Sequence, residues 1–136
     1  MAWRVAKSLL RLREQINAMA PERSKASDGT IGDAAHATRT SDHNPWVKDG
    51  NIGVVTAMDI THDILHGCDA QALVDALVDS RDPRIKYIIW NRKKINSKIQ
   101  PWVWRNYTGA NPHTKHFHLS VRPEKSAYDS EDSWQI

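Results

Sequence analysis

The chain has 136 residues, 40% of them hydrophobic and 26% charged, with 19 Lys and Arg against 16 Asp and Glu for a net charge of +3. That length and balance suit one folded domain with a single core, exclude a disordered or low-complexity chain, and leave too little excess charge to specify a polyanionic partner. Cys68 is the sole cysteine, so no internal disulfide and no cysteine-built zinc cage can form, and any metal must rest on histidine and carboxylate.

Trp3, Ala6, Leu9, Leu10 and Ile16 recur at roughly helical spacing among Arg, Lys, Glu and Gln, which predicts an amphipathic helix over about residues 3–19 with Pro21 just beyond it. Arg4, Lys7, Arg11 and Arg13 interrupt its apolar residues. The segment therefore reads as neither a signal peptide nor a membrane span, and the expectation is a monomeric protein made in the cytoplasm. From Glu22 to Asn51 the chain is polar and aperiodic and reads as one long loop.

Ile52 to Ile60 is rich in β-branched residues and reads as a strand with Val55, Ala57 and Asp59 on one face. Asp69 to Asp79 reads as a second helix, with Asp69 as N-cap and Ala70, Leu73, Val74, Leu77 and Val78 on one stripe. Ile85 to Trp90 follows as a buried strand, Lys94 to Arg105 as one or two weaker strands carrying Trp102 and Trp104, and His116 to Val121 as the last. The order lacks regular β–α alternation, so the fold class expected is α+β: a single domain, residues 1–136, with a mainly antiparallel sheet and helices packed on it.

On the last strand, alternation puts His116, His118 and Ser120 on one face and Phe117, Leu119 and Val121 on the other. A strand end with two imidazoles, another with Asp59, and a polar loop with His43 supply the inventory of a catalytic zinc site: three protein ligands and one position left for water. An isolated His-x-His is also compatible with partly exposed histidines at a sheet edge. Trp102 and Trp104 read as packing more readily than as a sugar platform.

Ser41-Asp42-His43, Ala57-Met58-Asp59 and His116-Phe117-His118 resemble the motifs of the peptidase family that includes the zinc D-Ala-D-Ala carboxypeptidases, the dipeptidases of vancomycin resistance and many phage endolysins. The resemblance spans about Arg39 to Val121, within a catalytic core of about residues 28–122. It departs in two places: Asp59 follows His43 by 16 positions where the family usually has seven, and Val55 stands where the motif has glycine. A loop can be lengthened at an entropic cost that grows slowly, so extra residues between ligands do not forbid a common site.

The resemblance implies the hedgehog and DD-peptidase type of fold, Zn2+ held by His43, Asp59 and His118, and His116 as general base. It further implies hydrolysis of a stem or cross-bridge peptide of peptidoglycan by metal-activated water, and delivery to the wall by lysis or another factor. His113 is a second candidate for the base, and Arg39, four residues before His43, a candidate donor to the developing oxyanion or a substrate carboxylate. Two other classes compete. One is a zinc-containing wall-binding or phage structural module without turnover. The other is an HNH-like nuclease, suggested by Asp42-His43-Asn44-Pro45, although a nucleic-acid partner is not expected from so small a charge.

Overall fold

The computed structural model describes residues 2–31 and 41–136. The N-terminal segment is strand before it is helix: Trp3–Val5 forms β1, and α1 spans Lys7–Met19. The helix expected from residue 3 thus starts later, because β1 lends its backbone to a neighbouring strand. Within α1, Ser8, Leu9, Leu12 and Ile16 are buried, at the spacing that puts them on one face. Leu10 is displaced from that face and 38% exposed.

The expected long loop contains a strand, β2 (Val47–Asp49), that turns at Gly50 into β3 (Ile52–Val55) as an antiparallel hairpin. Gly50 has φ +62°, a conformation open to glycine without strain. The run expected as one strand from Ile52 to Ile60 divides after Val55, and β4 spans Ala57–Thr61. The break falls where the backbone changes partners: Thr56 N–H donates to the Asp42 carbonyl at 3.2 Å, and its own carbonyl accepts from Val121 N–H at 2.9 Å.

A single 3-10 turn at Ile64–His66 leads to α2, Ala70–Ser80. The Asp69 carboxylate accepts from the backbone N–H groups of Gln71 and Ala72, the cap expected from sequence and worth about 1 kcal/mol. Then come β5 (Ile85–Trp90), β6 (Lys93–Asn96), the two-residue β7 (Arg105–Asn106), β8 (His116–Val121) and a short α3 (Lys125–Tyr128). Trp102 and Trp104 lie in the connection between β6 and β7 rather than on a strand. Trp102 has φ +61°, which no regular strand accommodates, and both rings pack against the core.

The strands make two sheets, ordered β1-β3-β2 and β4-β8-β5-β6-β7. The β1–β3 pairing is parallel and the other named pairs are antiparallel, giving a single α+β domain. Met58 and Ile60 of β4 and Phe117, Leu119 and Val121 of β8 enter one core with Leu9, Leu12 and Ile16 of α1 and Leu73 and Leu77 of α2. Burying each such side chain stabilises the fold by about 1.5–3 kcal/mol. Because strand side chains alternate, sinking those residues turns Asp59 and His116, His118 and Ser120 to the opposite face. The register places Asp59 directly across from His118, Thr61 across from His116 and Ala57 across from Ser120. No helix among the described residues is long and apolar enough to cross a membrane.

Candidate metal centre

Asp59 and His118 meet because they are cross-strand partners in adjacent strands. His43 arrives from the polar segment before β2. Its Nε2 lies 3.4 Å from Asp59 Oδ1 and 3.1 Å from His118 Nδ1, and His118 Nδ1 lies 3.2 Å from Asp59 Oδ1. A tetrahedral ion with ligands at about 2.0–2.2 Å holds its ligand atoms about 3.3–3.6 Å apart, so this triangle is close to the size zinc requires. The 16-residue separation is taken up by the β2–β3 hairpin, which folds back on itself and returns the chain to β4.

The outer nitrogens explain why the inner ones face one another. His43 Nδ1 lies 2.7 Å from the Thr30 carbonyl, which can only accept, so Nδ1 carries the hydrogen and Nε2 the lone pair. His118 Nε2 lies 2.8 Å from Ser120 Oγ. On the far side of that hydroxyl stands the Asp42 carboxylate, toward which Ser120 can point its own hydrogen, leaving Oγ to accept from Nε2–H and Nδ1 with its lone pair. Two imidazole lone pairs and a carboxylate oxygen therefore converge, and Asp59 Oδ1 is buried without a hydrogen bond from the described residues. Such a cluster is stable only around a positive centre.

The electrostatics agree. Burial pushes the Asp59 carboxyl up, but the His118 and His43 imidazoles outweigh it and hold the group well below the usual carboxylate range. Burial lowers His118, which stays neutral. The same burial opposes protonation of His43, yet Asp59 beside it raises this imidazole above its ordinary value. A proton there balances the anionic oxygen, in the position that a cation could take.

His116 and His113 border the same carboxylate. His116 Nε2 is 3.6 Å from Asp59 Oδ2, and neither of its buried ring nitrogens has a hydrogen-bond partner among the described residues. His113 Nδ1 faces the Asn111 carbonyl at 2.8 Å. Burial, aided by His118 nearby, pushes the His113 imidazole down to about 4. Asp59, His113 and His116 form a second group whose ligand atoms could hold a metal ion, beside the first group of His43, Asp59 and His118. Tyr87 lies flat against His118, ring centres 5.2 Å apart and planes 8° from parallel, which fixes the imidazole from its other side.

Asp42 and Ser120 are supporting residues that motif reasoning passed over. Asp42 is buried and accepts from Lys86 Nζ at 2.9 Å and Trp46 Nε1 at 2.9 Å. The signals were its adjacency to His43 and the two-residue offset of Ser120 from His118. Other histidines are structural: His62 Nδ1 accepts from Ala70 N–H at 3.0 Å at the start of α2, and His66 Nδ1 pairs with Asp63 at 2.7 Å. Arg39 and His36 lie outside the described residues. A cleft of about 230 Å³ reaches Asp59, lined by Arg13, Asp28, Gly29, Thr30 and Met58. Comparison of the chain with protein families, curated proteins and solved structures finds no match in any of the three.

Proposed function

We propose that the protein is a zinc metallopeptidase resembling the D-Ala-D-Ala carboxypeptidases and phage endolysins, and that it hydrolyses stem or cross-bridge peptides of peptidoglycan. The observation that carries this reading is the 3.1–3.4 Å triangle of His43 Nε2, Asp59 Oδ1 and His118 Nδ1 beside an imidazole, His116, with no hydrogen-bond partner among the described residues. When bound there, a zinc ion supplies Lewis acidity and a water of lowered pKa.

The chain's own residues do the rest. His43, Asp59 and His118 hold the ion, and one carboxylate among three ligands leaves the centre positively charged, which favours an oxyanion. His116 takes the proton of the attacking water and returns it to the leaving amine. His113 is the weaker acceptor, since an imidazole pushed down to about 4 has little affinity for a proton at neutral pH. Ser120 and Asp42 set the tautomer of His118, and Thr30 sets that of His43. Arg13 lines the cleft that reaches Asp59 and can pair with a carboxylate of the peptide, while Arg39 stays a candidate donor to the oxyanion or to that carboxylate.

The test is mass spectrometry of muropeptides incubated with the purified chain, with chelator and after zinc is restored. Cleaved peptide that disappears with chelator and returns with zinc is the expected result. Intact muropeptides beside a zinc-loaded protein would favour a wall-binding module, and nicked plasmid DNA in a parallel arm would favour a nuclease.

A further inference from the structure

Asp59 turns its second oxygen toward a different pair of imidazoles. His116 Nε2 is 3.6 Å from Oδ2, and the His113 and His116 rings are 4.9 Å apart, centre to centre. The ligand atoms of Asp59, His113 and His116 lie within 4.8 Å of one another. His113 Nδ1 is held by the Asn111 carbonyl, so Nε2 keeps its lone pair. The backbone here is constrained as well: His113 has φ +55°, and its carbonyl accepts from Asn91 N–H at 2.8 Å. A non-glycine residue held in that region carries a cost that the surrounding structure must offset. His116, buried at both nitrogens, has no hydrogen-bond partner among the described residues.

We propose that Asp59, His113 and His116 form a second divalent-cation site, weaker than the first and sharing the Asp59 carboxylate with it, and that zinc bound there switches the hydrolase off. This rests on the assignment of His43, Asp59 and His118 as the first site and His116 as the base. Two imidazoles and a carboxylate oxygen suit zinc as a donor set. The His116–Asp59 spacing of 3.6 Å already suits a tetrahedral ion, but a carboxylate that serves the first ion has less negative charge to offer a second, and two cations side by side repel, so the affinity is lower. A nitrogen that gives its lone pair to a cation has none left for a proton. Filling the site removes His116 as base and its neighbour His113 at once. The chain with one ion is the active form, and the chain with two is inhibited.

The experiment counts bound zinc on the full chain by equilibrium dialysis and elemental analysis across buffered free-zinc concentrations, with muropeptide hydrolysis measured in the same samples. Two binding steps are expected. Activity rises with the first and falls by about a hundredfold or more with the second, the usual contribution of a general base. His113→Ala and His116→Asn should each keep the first step, which also reports a folded chain, and lose the second. Saturation of the parent at one ion that is lost in His118→Ala would overturn the second site and leave the first standing. A second ion retained in both variants would place it elsewhere and overturn the proposal. A parent that binds no ion would overturn the metal centre itself.

Discussion

Two clusters of charged side chains hold distant parts of the chain together, and they are built on opposite principles. Around Arg4, donors meet acceptors: its guanidinium pairs with Asp129 at 2.9 and 2.7 Å and with Asp49 at 2.9 Å, while Lys125 Nζ reaches Asp49 at 3.0 Å. That network ties β1 to β2 and to the start of α3, and it is complete without any ligand. Around Asp59, by contrast, an anionic oxygen and imidazole nitrogens face one another at 3.1–3.4 Å. A cluster whose charges already balance is a brace, and one that gathers lone pairs around an anionic oxygen could hold a cation.

The sharpest way to break the contrast is to remove a member of each cluster. Asp59→Ala or His118→Ala should abolish zinc retention and hydrolysis together, measured by elemental analysis and muropeptide release. Arg4→Ala should leave both intact and lower stability in a denaturant titration by about 1 kcal/mol, as for a partly exposed ion pair. Next in size, His116→Ala should keep the first zinc while kcat falls about 10²–10⁴-fold, the range for loss of a general base. Ser120→Ala should weaken zinc binding about 10–100-fold in a competition titration, because the tautomer of His118 is no longer set.

The smallest effect sharpens the comparison through pH. Burial opposes protonation of His43, but Asp59 raises its imidazole above the ordinary value, so a proton would compete with a bound ion, and zinc affinity should climb as pH rises through that raised value. Asp129 is held below the usual carboxyl range, with burial opposed by Arg4. Its contribution to stability is complete above the unfolded carboxyl value and is lost as pH falls through the lowered folded one. On acidification the zinc should therefore leave before the Arg4 network fails. Titrating zinc retention and unfolding on the same samples checks the order.

Much of this was legible because it follows from side-chain period. Alternation along His116–Val121 and the apolar stripe of α2 appear where the sequence puts them, since burying alternate residues dictates both. Strand β1 was not legible: Trp3–Val5 has the composition of a helix start, and only pairing with β3 makes it extended. Nor was the break at Thr56, which depends on hydrogen bonds to Asp42 and Val121 far away in the chain. At the site, the motifs singled out Asp59, His118 and His43, which the fold brings together, whereas the Thr30 carbonyl could not be found from sequence, because every residue has one. Asp42 has no role in the motifs, and only its burial against Lys86 and Trp46 in the folded chain gives it one.

The approach of Gly53 to Pro45 has a consequence for how the first imidazole is aimed. A β-carbon on Gly53 would stand 2.6 Å from the Pro45 carbonyl oxygen and 2.8 Å from its Cβ, so the hairpin and the arm bearing His43 fit together only while that position has no side chain. Backbone seated on backbone is a stiff hinge pin. The aim of a candidate ligand is thus governed partly by a residue that contributes no donor atom, and tolerance to change in this protein need not decline smoothly with distance from the candidate metal centre.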